Sequence, residues 1–148
     1  MIFIKKTDVK NVSEEFKKSK FVPGAKTEAF ILADEEMLQA ICAYEAKKEY
    51  ILLEKIICPS QKPVYIDAIV RALLSSKLDE GYIYGLLADA EDEIVQKTLI
   101  DMTGFQPITQ EKEYMIDLLF DKENAAEGSL YVDIFQLFMH HKCGKVQK

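Results

Sequence analysis

The stretch "IICPSQKPVYIDAIVRALL", Ile56 to Leu74, reads as a strand running directly into an amphipathic helix, the join at which many α/β proteins seat a phosphate. The chemistry of such a seat belongs to the backbone. The first N–H groups of a helix lack partners, and the aligned peptide dipoles add positive potential there. Glycines commonly line the seat, because without a Cβ the backbone can approach the phosphate closely. This join carries Pro63, Tyr65 and Asp67 and no glycine. A tyrosine fills the space, while Asp67 brings a carboxylate that can satisfy the helix start from within and repel an incoming pyrophosphate. The expectation is a phosphate seat occupied by the protein itself.

Other residue types with chemical potential have simpler readings. "HHKC", His140 to Cys143, offers imidazole and thiolate, the usual ligands of zinc and its neighbours. Adjacent histidines point apart on a helix or strand, and no metal site is expected. Cys58 abuts Pro59; a nucleophilic thiol needs a base and an electropositive setting, neither of which the sequence names, so it reads as a small buried hydrophobe. The acidic clusters Asp34 to Glu36 and Asp89 to Glu93 could draw in a cationic amine, yet the first reads as a hairpin turn and the second as a helix start. Tyr44, Tyr50, Tyr65, Tyr82, Tyr84 and Tyr114 are expected at sheet ends, apolar below and wet above.

The elements that must position these groups follow from periodicity. "IFIKKT" is a first strand, and Thr7 or Asp8 can cap a helix through about Lys20 whose inward face is Val9, Val12 and Phe16. Pro23 and Gly24 break it. "EAFILAD", "MLQAICAYEA" and "EYILLEKIIC" are three strands joined by short charged gaps, the pattern of an antiparallel meander. Ile66, Ile69, Val70, Leu73 and Leu74 then mark one face of a helix. "YIYGLLA" is a strand, and Ile94, Val95, Thr98, Leu99 and Met102 stripe a helix closed by Gly104. "KEYMIDLLF" reads as another strand, and "SLYVDIFQLFMHHK" as either a closing strand or a short helix. The order implies a mixed α/β (α+β) fold, because the step across a helix from the fourth strand to the fifth is the right-handed crossover of a parallel pair.

The 148 residues suit a single domain, 1–148, with 121–148 as a C-terminal extension or closing strand. A net charge of −6 leaves no basic field for nucleic acid and no polybasic run for an anionic membrane. No apolar run approaches a membrane span, and the three cysteines include no CxxC pair, so free thiols and a cytoplasmic location are expected.

That element order, together with "IICPSQK…IVRALL" and the helix ending in "TGF", resembles the GNAT family of acyl-CoA-dependent N-acetyltransferases over roughly Ile2 to Phe120. The resemblance implies a mostly antiparallel central sheet flanked by helices on both faces. It also implies acetyl-CoA as cofactor and acyl transfer to an amine of a small molecule or a protein. In the family the fourth strand runs through a proline into an Arg/Gln-x-x-Gly-x-Gly/Ala turn that holds the pyrophosphate. With Pro59 on that proline, Lys62 takes the basic position, Tyr65 the first glycine and Asp67 the second. The pantetheine arm would lie between "ILLEKII" and "YIYGLLA", placing Ile56, Ile57 and Cys58 beside it. Glu54 sits at the depth of the general base found in some members. Glu93 and Ile100 stand where the family commonly has an Asn and a thiolate-protonating Tyr, and isoleucine has no proton to give. The implied alternatives are an acyltransferase with a weakened coenzyme site and a non-catalytic interaction or ligand-sensing domain with "LYVDIFQLFM" as a possible homodimer seam.

Overall fold

A computed structural model describes residues 1–88 and 92–139. Seven strands form one sheet in the order β1-β2-β3-β4-β5-β7-β6. β1 (Ile2–Thr7), β2 (Glu28–Asp34), β3 (Met37–Ala46) and β4 (Tyr50–Ile57) pair antiparallel in sequence order. The β2–β3 hairpin turns on Glu35 and Glu36, both at positive φ, as the mirror-image turns of hairpins require. α2 (Pro63–Leu78) then crosses to β5 (Tyr84–Leu87), which lies parallel to β4. The expected mixed, mostly antiparallel sheet is present.

Alternation along the strands divides the core between two faces. On one, Ile51, Leu53 and Ile56 of β4 and Cys42 and Tyr44 of β3 pack against Ile66, Ile69, Val70 and Leu73 of α2 and Val95 and Leu99 of the next helix. On the other, Val12 and Phe16 cover Ile41, Ala43 and Ile57, while Tyr50, Leu52 and Leu86 meet Ile108, Met115 and Phe120. The first helical segment begins as a 3-10 turn, Val9–Val12, capped by Asp8, and continues as α1 (Ser13–Lys18), ending two residues before the expected Lys20. No helix among the described residues is long and apolar enough to cross a membrane.

Three expectations change. The helix after β5 is α3 (Glu93–Thr98), capped by the Asp92 carboxylate, but it passes into a π-helical turn, Leu99–Thr103, before Gly104 closes it at φ +100°. The extra residue per turn moves the buried position from Met102, which is exposed, to Thr103. "KEYMIDLLF" is a 3-10 turn, Gln110–Lys112, followed by α4 (Tyr114–Leu118) rather than a strand. Met115, Ile116, Leu119 and Phe120 repeat at helical spacing and face the core together. The edge of the sheet is instead formed by β6 (Gln106–Pro107), where a proline is tolerated because its missing N–H can face outward. Finally, the ambiguous C-terminal run is both elements in succession: β7 (Leu130–Asp133) and helical residues 134–139. Asp89 and "HHKC" fall outside the described residues.

Candidate functional site

β4 and β5 are paired from Tyr50↔Tyr84 to Leu53↔Leu87, and the Ala88 N–H closes the ladder on the Leu53 carbonyl at 3.0 Å. β4 then runs on to Ile57 beyond its pairing with β5, so that among the described residues the two strands part after Leu53 and Leu87. A register shift in the β3–β4 ladder falls here, between Ala43 and Tyr44, so that Ala43 faces Lys55 while Tyr44 faces Leu53. Glu54 is the extra residue of this bulge. Bulges re-aim side chains, and the half-buried Glu54 carboxylate receives a 2.7 Å hydrogen bond from the Thr27 hydroxyl, itself held by the Gly24 N–H at 2.8 Å. Glu54 is thus fixed between the α1 cluster and the cluster under α4.

At the top of β4 the chain turns through Cys58 to Gln61, closed by the Gln61 N–H on the Cys58 carbonyl, with Gln61 in the left-handed region at φ +56°. Pro63 opens α2 and Lys62 is its cap residue. Tyr65 and Asp67, given to the family's two glycines by the sequence alignment, therefore lie inside the helix. The left-handed position of the turn belongs to Gln61.

Asp67 does not plug the helix mouth, and no side chain caps α2. The Asp67 carboxylate accepts hydrogen bonds from Arg71 Nε at 2.9 and 3.1 Å and from Thr103 Oγ1 at 2.6 Å. Arg71 Nη2 donates to the Met102 carbonyl at 2.7 Å, so this network ties α2 to the π-helical turn. Pro63 has no N–H and that of Tyr65 returns to the Lys62 carbonyl, which leaves the N–H groups of Lys62 and Val64 to receive an anion. The Lys62 ammonium lies 5.5 Å from the centre of the Tyr65 ring. The buried Tyr65 donates its hydroxyl proton to Asp34 Oδ2 at 2.6 Å. That bond is the main cause holding the Asp34 carboxyl below its ordinary range and the Tyr65 hydroxyl above its own.

The remaining residues named from sequence do not converge. Ile56 is buried toward α2 and Ile57 toward α1, so their side chains lie on opposite faces of the sheet. Cys58 is half-buried with its sulfur 3.6 Å from Ser60 Oγ. Burial raises the Cys42 thiol far above its ordinary value. Ile100 is exposed on the π-helical turn. Among the described residues no cluster of three metal-binding side chains occurs. Thr27 and Gln61 were not foreseen. Arg71, by contrast, was readable as the i+4 partner of Asp67.

By sequence the chain matches no family model and no curated protein. By structure it is similar to an N-acetyltransferase of Staphylococcus aureus Mu50 (TM-score 0.61, 17% identity, 91% of this chain and 99% of that one). It is also similar to the ribosomal-protein-S18-alanine N-acetyltransferase of Escherichia coli (TM-score 0.57, 15% identity, 74% and 80% covered). A third similar structure is YhhK of E. coli, solved in solution bound to coenzyme A (TM-score 0.52, 13% identity, 90% and 97% covered). The chain therefore has the GNAT N-acetyltransferase fold.

Proposed function

We propose that this protein is a cytoplasmic N-acyltransferase that moves an acetyl group from acetyl-CoA to an amine, gripping the coenzyme more through strands than through a phosphate seat. The observation that carries this reading is the parting of β4 and β5 after Leu53 and Leu87, below a helix start that no side chain caps. The residues fit the coenzyme with few phosphate donors. The end of β4 beyond its pairing with β5 suits the amides of a pantetheine arm, and the N–H groups of Lys62 and Val64 with the Lys62 ammonium suit a diphosphate. Acetyl-CoA would supply the acyl group as an activated thioester.

In this reading Glu54 takes the proton that the acceptor amine gives up as its nitrogen bonds the acyl carbon. Thr27 keeps that carboxylate in one orientation. Ile100 has no proton to return to the leaving sulfur, so that proton comes from water. The net charge of −6 favours a cationic acceptor, a small-molecule or protein amine. The same Ile100 favours the second reading, an acyl-CoA-sensing module without turnover.

Calorimetry with acetyl-CoA, followed by thiol release in the presence of a panel of primary amines, separates the two. Binding together with turnover that collapses in Glu54→Gln supports the enzyme. Saturable binding without thiol release from any amine supports the sensor. Absence of any heat or melting shift with millimolar acetyl-CoA overturns both.

A further inference from the structure

Beyond β6, the free edge of β7 borders a cavity of about 620 Å³, within the range that accommodates a small ligand. One wall is the π-helical turn, held from behind by the Asp67–Arg71–Thr103 network and by Arg71 on the Met102 carbonyl. Interruptions of this kind in helices recur at functional sites. A rigid wall of this sort is what a preorganised site needs.

The charges inside are complementary and separate. Lys112 Nζ donates to the Tyr131 hydroxyl at 2.9 Å and to Gln106 Oε1 at 3.4 Å, and forms no ion pair among the described residues. Asp133 follows Tyr131 by two residues on the same face of β7, about 6.5 Å along the strand. Its Oδ1 accepts the Gln136 N–H, and no lysine or arginine among the described residues pairs with it. Tyr84 and Tyr131 stand edge to face with ring centres 6.3 Å apart, and Met115 and Leu137 supply apolar lining. Arg71 is already neutralised by Asp67. A simple anion would face Asp133 and Asp101, and a simple cation would face Lys112. A molecule carrying both charges meets both partners.

We propose that this cavity is a second ligand site, for a small zwitterion of the free α-amino-acid class, with its carboxylate on Lys112 and its ammonium on Asp133. It is distinct from the acyl acceptor site. Tyr84 opens β5 and the strands part after Leu87, three residues or roughly 10 Å further on, whereas nucleophilic attack needs approach to about 3–3.5 Å.

The full chain is tested by thermal shift and calorimetry against free proteinogenic amino acids, each beside its decarboxylated amine and its α-hydroxy acid. The expected result is that at least one amino acid binds and neither counterpart does. Lys112→Met and Asp133→Asn, the latter able to keep the cap on residue 136, each weaken it about tenfold or more while leaving acetyl-CoA binding unchanged. The proposal is overturned if no amino acid binds at millimolar concentration, or if the hydroxy acid binds as well as the amino acid. It is also overturned if either variant binds like the parent, or if both lose acetyl-CoA together with the amino acid.

Discussion

Replacing Asp67 with asparagine separates two physical readings of the strand-to-helix join. If the Asp67 carboxylate guarded the helix mouth, removing its charge would tighten coenzyme binding and leave the fold nearly untouched. In the structure it faces away from the mouth and accepts three contacts, two from Arg71 Nε and one from Thr103 Oγ1. The two side chains of the ion pair are only 17% and 23% exposed, so solvent screens the pair incompletely. Arg71 Nη1 is buried without a hydrogen-bond partner among the described residues, so the guanidinium has little other compensation. Charge-assisted hydrogen bonds contribute about 1.5–3 kcal/mol against about 1 for neutral ones. With an amide oxygen in place of the carboxylate and part of the geometry kept, the loss is about 1–2 kcal/mol. For a chain of this size that lowers the melting temperature by roughly 3–6 °C. Melting curves with and without acetyl-CoA, plus a calorimetric titration, provide the assay. The expected result is lower stability with unchanged coenzyme affinity. Affinity improved about tenfold with an unaltered melting temperature would refute the reasoning and restore Asp67 as the guard.

Thr27→Val removes the hydrogen bond that orients the Glu54 carboxylate; kcat is expected to fall about tenfold with KM for acetyl-CoA unchanged, and steady-state kinetics in which only KM moves would contradict the role given to Thr27. Asp34 has a carboxyl held below its ordinary value of 3.8, chiefly by the Tyr65 hydroxyl. A depressed folded-state value stabilises the fold above the ordinary value and ceases to do so as pH falls through the depressed one. The melting-temperature gap between parent and Asp34→Asn should accordingly be widest near neutral pH and narrow as the pH drops below about 4, and a gap independent of pH would show that the Tyr65 bond confers nothing. The same variant should bind acetyl-CoA more tightly at neutral pH, as read by calorimetry. Gly85→Val tests packing under β5: a Cβ there would lie 3.2 and 3.3 Å from the Leu74 methyls and 3.3 Å from Val132 Cγ1, so the bulkier side chain should cost about 1–3 kcal/mol by chemical denaturation.

Much of the fold was legible because burial imposes period. The three meander strands begin and end within a residue or two of the expected limits, and the α2 stripe of Ile66, Ile69, Val70, Leu73 and Leu74 is buried as the spacing required. The run 112–120 was misread because Tyr114, Ile116 and Phe120 resemble strand formers, whereas the buried pair Met115 and Phe120 is set by what lies beneath them: Tyr50, Leu52 and Leu86. The π-helical turn was illegible for a similar reason. Its extra residue is stabilised by contacts from another helix, through Asp67 and Arg71, and no local signal announces them. The Glu54 site was half legible: its strand was plain, its bulge and its partner Thr27 were not, since the bulge depends on the register of β4 against β3 and Thr27 lies 27 residues away in sequence.

The physical idea first attached to Asp67 survives in a different residue. An aspartate does lie near the mouth of α2, but it comes from the β2–β3 hairpin and is drawn there by the Tyr65 hydroxyl. Asp34 sits where Lys62 also acts on it electrostatically, so one of the few cations available to a diphosphate is partly offset by a carboxylate of the same chain. A helix start with two usable N–H groups, one lysine and an adjacent aspartate exerts less pull on phosphate than a glycine-lined turn. In the proposed acyltransferase reading, affinity for the coenzyme would then come mainly from β4 beyond its pairing with β5, where backbone donors and acceptors act without net charge and are little affected by salt. Selection at such a site falls on the shape and amide pattern of the arm that carries the acyl group. An acyl donor sharing that arm but lacking the nucleotide would lose less here than in an enzyme built around the phosphates.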